Sequence, residues 1–149
     1  MQRPGGINFV IGLEILVIVG VVLYWTTWFL APEFIQSRSV DAPDYQIYVS
    51  FEQAFPLADS WLAIAALIGV AGLWRMRDWG FLFSLLSGSS AIFLGFMDLL
   101  YDLQHGMFIP FTLEASIELL IVLLLLLLAP IQIYLLWRHR RIFTLLLHK

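Results

Sequence analysis

Four long apolar stretches divide this 149-residue chain and limit the folds that it can adopt. They cover approximately residues 7–30, 56–74, 80–103 and 111–137. A helix needs about 20 apolar residues to cross the hydrocarbon core of a bilayer, and a segment exposed to lipid must satisfy its own backbone hydrogen bonds. The sequence therefore predicts an all-α integral membrane protein, a bundle of four transmembrane helices.

The composition agrees with this class and excludes several functions. The chain is 61% hydrophobic and 13% charged, whereas soluble domains are about 45–50% apolar and about 25% charged. A net charge of −3 without a basic domain argues against a nucleic-acid partner. The chain has no cysteine and no Walker, dinucleotide-binding, H-E-x-x-H or nucleophile-elbow motif, and we predict no cofactor.

The charges of the connecting segments predict the orientation in the membrane. Basic residues occur at the N-terminus, in the turn at 75–77 and in the segment 138–149, whereas the segment 31–55 is mainly acidic. Because basic segments favour the cytoplasmic side, we expect both termini in the cytoplasm, a cytoplasmic tail at 138–149, and one long acidic outer loop at 31–55. Within that loop, the partial alternation of residues 45–51 predicts a short strand or an interfacial segment, with a surface helix as the alternative.

One face of the third helix combines small residues with ionisable residues. Lipid cannot solvate carboxylates, and small side chains allow a neighbouring helix to approach closely, so this face is expected to point into the protein or into a water-filled cavity. At helical spacing it comprises Ser84, Gly88, Ala91, Gly95, Asp98, Asp102 and His105.

Other acidic residues are expected at the same depth as this face. Asp59 lies one turn into the second helix, while Glu114 and Glu118 share a face of the fourth, so an acidic cavity in the outer half of the membrane is predicted. Glu14 of the first helix lies toward the other leaflet. The predicted ligand- or proton-binding residues are Asp98, Glu118, Asp59, Glu14, Asp102, His105, Glu114 and Tyr101; whether a metal binds is left open.

These residues favour a small transporter or binding protein for a cation, a protonated amine or a proton. Two alternatives stay open: a non-catalytic accessory subunit of a larger membrane complex, and a lipid- or sterol-modifying enzyme with Asp98 or Glu118 as general acid. Structural roles are also open, as interhelical hydrogen bonds or as carboxylates solvated at the interface. The expected partners are membrane lipid and, because four spans make a thin transporter, further copies of the chain or other subunits.

Short motifs in the first half of the chain carry a resemblance to a known family. They are Leu23-Tyr24-Trp25, Phe55-Pro56-Leu57-Ala58-Asp59 and Gly72-Leu73. In these motifs the chain resembles small four-span bacterial membrane proteins of the YvaD-like type, which implies the topology and a bacterial plasma membrane but no activity. Four-span sterol-isomerase-like proteins are similar in architecture alone, and no residue role follows from them.

Overall fold

The computed structural model describes residues 3–36, 42–109 and 111–144, without the side chains of Glu114 and Thr144. All regular structure in these ranges is helical, and they contain no strand. Four helices of the described chain are long and apolar enough to cross a membrane, which confirms the all-helical class and the four apolar helices. The elements are α1 (Gly5–Leu30), α2 (Tyr45–Glu52), α3 (Pro56–Trp74), α4 (Asp78–His105) and α5 (Leu113–Thr144), with a 3-10 turn at Pro32–Phe34.

The apolar stretches predict most helix ends closely. The helix α3 has the predicted bounds, α1 begins two residues earlier, and α4 is two residues longer at each end. The predicted end of the fourth helix at residue 137 is wrong, because α5 continues through residues 138–144. These residues include strong helix formers and no glycine or proline, and Phe143 is buried among apolar side chains of α1 and α3. The remaining tail residues, 145–149, lie outside the described ranges.

The segment 45–51 is helical, so the strand prediction is wrong and the alternative of a helix is correct. Tyr48 and Glu52 are four residues apart and are both buried. Ser50, between them, is exposed. An alternating strand would place residues 48, 50 and 52 all on one side, whereas helical spacing turns residue 50 away from the face shared by residues i and i+4. The buried face of α2 packs on the end of α1, where the Tyr48 ring lies 5.9 Å from that of Trp28.

Small residues set the closest helix contact in the bundle. Gly72 of α3 and Gly80 of α4 face each other, and a Cβ atom on either would meet the backbone of the other. The helices form a ring in the order α1, α3, α4, α5, and α1 packs less extensively on α5 than on α3. Gly88 and Gly95 of the small face predicted for α4 lie against side chains of α5, so these two positions serve packing. The less extensive contact between α1 and α5 leaves room inside the ring.

The two ends of the bundle differ in charge and are named here accordingly. The acidic end carries Asp59, Asp98 and Glu118, and the basic end carries Arg75 and Arg77. Each end has its own apolar core: aromatic residues dominate at the acidic end, and aliphatic residues of α1, α3 and α5 dominate at the basic end.

Candidate functional site

A cavity of about 240 Å³ lies inside the ring of four long helices. Its middle is lined by aliphatic side chains, most of them from the facing surfaces of α1 and α5, including Leu13, Val17, Leu125 and Leu128. The cavity follows the loose contact between these two helices and extends from Glu52 at the acidic end to Gln132 nearer the basic end.

Four carboxyl groups line the acidic end of the cavity, each from a different helix. They are Glu52 of α2, Asp59 of α3, Asp98 of α4 and Glu118 of α5. The structure therefore brings three of the predicted site residues together and adds Glu52. Asp98 and Glu118 are also within electrostatic reach of Asp102, which lies one turn further along α4.

Aromatic side chains of α1 hold two of these carboxyl groups in place. The Tyr24 hydroxyl donates to Glu52 Oε2 at 2.9 Å, and Trp25 Nε1 donates to Asp59 Oδ2 at 2.8 Å. Tyr24 and Trp25 follow one another in the chain but reach different helices, because consecutive residues point about 100° apart around a helix. The last turns of α1 thus fix the positions of both α2 and α3 at the acidic end.

The electrostatics of this end favour a positively charged ligand. No lysine, arginine or histidine is found among the described residues that line the cavity. Several negative charges close together in a poorly solvated space repel one another, and an unpaired charge is costly at membrane depth. A bound cation or bound protons would remove that cost.

The remaining predicted residues of α4 form a cover over the acidic end and do not line the cavity. Tyr101 stacks between two rings, with centroids 3.7 Å from Phe51 of α2 and 4.1 Å from His105. His105 Nδ1 lies 3.0 Å from the Tyr101 backbone oxygen. Asp102 is only 3% exposed, so the alternative of a carboxylate solvated at the interface is wrong for this residue. Glu114 belongs to α5, but its side chain lies outside the described part.

Glu14 belongs to a second polar cluster, near the far end of the cavity. Its side chain is fully buried, and its Oε1 accepts a hydrogen bond of 3.1 Å from Gln132 Nε2. The same nitrogen donates to the Ser84 backbone oxygen at 2.8 Å. Gly69 of α3 faces this carboxyl group, since a Cβ atom there would lie 2.8 and 3.0 Å from its two oxygens.

Three residues that shape these sites were not predicted as site residues, although Ser84 was expected on the inward face of the third helix. Glu52 lies in a segment whose secondary structure the pattern left open, so its orientation was unknown. Gln132 and Ser84 had a usable signal, because a buried amide or hydroxyl in a membrane helix needs a hydrogen-bond partner, and Gln132 interrupts an otherwise apolar run.

The described side chains do not form a group of three potential ligands arranged for a metal ion. Comparisons with protein-family models, curated proteins and solved structures found no match to this chain. The resemblance to YvaD-like proteins consequently stays a prediction, and the function must be argued from the geometry of the cavity.

Proposed function

We propose that this protein binds a small molecule that has an apolar body and a protonated amine, either as a binding protein or as a small transporter. The observation that carries the proposal is the shape of the cavity: aliphatic walls that end in four carboxyl groups with no basic side chain among its described lining. The ammonium group would lie among Asp59, Asp98 and Glu118, and the apolar body would extend along α1 and α5.

The free energy of apolar burial, the coordination needs of metal ions and the volume of the cavity favour this ligand over a bare cation. Burial of apolar surface contributes about 25 cal/mol per Å², which a metal ion or a proton cannot use. Hard divalent cations prefer six or more oxygen ligands in a compact shell, and the described carboxyl groups do not form such a shell. A cavity of about 240 Å³ is smaller than most drug-sized pockets, which hold about 300–1,000 Å³, so the ligand should be small.

The proposed orientation puts the acidic end outside the cell. An even number of spans leaves both termini on one side, and the basic residues Arg3, Arg75, Arg77 and Arg138 all belong to the other end of the bundle. The positive-inside rule then assigns the termini to the cytoplasm. With the bacterial plasma membrane as the proposed location, the amine would enter from the external side.

A ligand-induced rise in thermal stability tests the amine proposal. The purified protein in detergent is heated with 2-phenylethylamine or with 2-phenylethanol, a neutral molecule of similar shape. A ligand at 100 times its Kd stabilises the folded state by about 2.7 kcal/mol. We expect the amine to raise the unfolding midpoint and the alcohol to have little effect, because only the amine pairs with the carboxyl groups.

Three variants show which carboxyl groups the amine-induced rise in the unfolding midpoint depends on. Asp98→Asn and Glu118→Gln remove one charge each from the cavity wall and should reduce the rise, whereas Glu33→Gln changes an exposed carboxylate and should leave it intact. An equal response to the amine and the alcohol would contradict the proposal and favour a site for neutral lipids, as in the lipid- or sterol-modifying alternative. No response to either molecule would favour the accessory-subunit alternative.

The outer surface supports a proposal about partners. All four long helices present large exposed apolar side chains, such as Leu23, Leu67, Phe93 and Leu127, which suit either lipid tails or neighbouring helices. We propose a homo-oligomer or a subunit of a membrane complex, since a single ring of four helices is thin for a transport path. Chemical cross-linking in native membranes, followed by mass measurement, distinguishes these assemblies from a monomer.

A further inference from the structure

The cluster around Glu14 is a buried polar site that the proposed amine site does not use. Glu14 is 0% exposed, and its neighbours on the other three long helices are Gly69, Ser84 and Gln132. None of these three residues is titratable or charged. A carboxylate ion at this position would therefore be an unpaired charge in the middle of the bundle, which is costly at membrane depth.

The hydroxyl of Ser84 does not make the backbone hydrogen bond that three other serines of the described helices make. Ser50, Ser60 and Ser116 each donate to the backbone oxygen four residues earlier, as serine in a helix commonly does. Ser84 makes no such bond. A Cβ atom built on Gly69 would lie 2.5 Å from Ser84 Oγ and 2.8 and 3.0 Å from the carboxyl oxygens of Glu14, so the hydroxyl and the carboxyl group lie against the same point of α3. Ser84 Oγ and Glu14 Oε2 are both buried, and neither has a hydrogen-bond partner in the described part of the chain.

We propose that Glu14 is a proton-binding site, held as a neutral carboxylic acid whose Oε2–H donates to Ser84 Oγ. The carbonyl oxygen of this acid is then Oε1, which already accepts from Gln132 Nε2. This assignment gives each oxygen of the acid one partner of the correct kind, and it removes the unpaired charge. A proton from solvent binds to the carboxylate oxygen and leaves from it again, with no other bond made or broken.

Gln132 connects this site to the cavity. Its side chain is in contact with Glu14 and also lines the cavity wall, whereas Gly69 and Ser84 close the site on the α3 and α4 sides. The cavity is consequently the route by which the proton exchanges with solvent. This inference does not depend on the amine ligand, because the site is complete without any occupant at the acidic end.

Infrared spectroscopy of the protein in lipid vesicles at neutral pH tests the protonation. A protonated carboxyl group absorbs in a carbonyl-stretching region separate from that of a carboxylate. We expect Glu14→Gln to lose one band of the protonated acid, and Ser84→Ala to shift that band to higher frequency because the acid loses its acceptor. Glu33→Gln, which changes an exposed carboxylate, is the matched control and should leave the acid region unchanged.

Transfer into D₂O tests the exchange route, and the band should shift as deuterium replaces the proton. A Glu14→Gln spectrum that keeps every acid band and loses a carboxylate band would overturn the proposal. A band that stays unshifted in D₂O would overturn the route through the cavity. If Glu14→Gln fails to fold, Ser84→Ala decides: a shifted band supports the assignment, and an unchanged acid region refutes it. Both results are independent of amine binding, so either proposal can fail without the other.

Discussion

Replacing Gly69 by alanine tests the packing around Glu14 directly. A Cβ atom at position 69 would lie 2.5 Å from Ser84 Oγ and 2.8 and 3.0 Å from the two carboxyl oxygens of Glu14. Real Cβ atoms essentially never approach other atoms closer than 3.0 Å. The added methyl group must therefore push Glu14, Ser84 or the helix α3 itself out of position.

The expected loss of stability follows from two opposing effects. Adding a methyl group to a packed interior costs about 1–3 kcal/mol, while replacing glycine by alanine within a helix gains about 0.5–1 kcal/mol. The crowded atoms belong to side-chain ends, and the Ser84 hydroxyl can rotate, but Glu14 is fully buried and is held by the hydrogen bond from Gln132. The difference of these values spans about 0–2.5 kcal/mol, and we expect Gly69→Ala to lower the free energy of unfolding by about 1 kcal/mol, near the middle of that range.

Two other glycines provide a scale for this measurement, made by equilibrium unfolding in mixed detergent micelles with increasing sodium dodecyl sulfate. Gly12 has open space around it, so Gly12→Ala should be neutral or stabilise by up to about 1 kcal/mol. Gly72→Ala should cost more than Gly69→Ala, because its Cβ meets the backbone of Gly80, which cannot rotate away. If Gly69→Ala is as stable as Gly12→Ala, the proposed close packing of Glu14 is refuted.

Three further predictions follow from the contacts of the two polar sites and from the orientation of the bundle. Gln132→Leu removes the donor of two buried hydrogen bonds and should cost about 1–3 kcal/mol in the same unfolding assay; an unchanged midpoint would contradict the bonds. Tyr24→Phe removes the bond to Glu52 and should loosen α2, measured as faster proteolysis of the 31–55 segment than in wild type; equal rates would show that the bond does not hold α2. Because the chain has no cysteine, Glu33→Cys should react with a membrane-impermeant maleimide in intact cells and Arg77→Cys only after lysis, and the reverse pattern would invert the proposed topology.

The fold was predictable where a single periodic signal extended over many residues. The lengths of the apolar runs predicted all four long helices, including both ends of α3. Predictions from shorter segments, or from segments that mix apolar and charged residues, failed. Residues 45–51 are compatible with both a strand and a helix, and what separates the two is the exposure of Ser50 between the buried Tyr48 and Glu52, since a strand would place all three on one side. The basic residues 138–141 predicted the end of the fourth helix, but a charged segment can continue a helix whose other face is still buried.

The candidate site was predictable within single helices, where residue spacing determines which side chains share a face. The spacing within α4 predicted that Asp98 faces the interior, and the depths of Asp59 and Glu118 predicted that they meet it, but no spacing rule relates the rotations of different helices. That relation depends on the glycine contacts that fix α3 against α4. The contacts of Glu14 were unpredictable for the same reason, because its partner Gln132 is 118 residues away in the chain.

The helix α1 links the two polar sites and limits how they can work together. Tyr24 at the acidic end and Glu14 are ten residues apart, which corresponds to about 15 Å along a helix, and the cavity wall between them is aliphatic. A charged amine would gain no compensating partner along this length, so it is stable at the acidic end only. Since Gly72 and Gly80 lock α3 to α4 while α1 packs less extensively on α5, any opening of the cavity should separate α1 from α5. The same movement would pull Gln132 away from Glu14 and remove the hydrogen bond to Oε1. Opening of the cavity and protonation of the buried acid would therefore depend on each other.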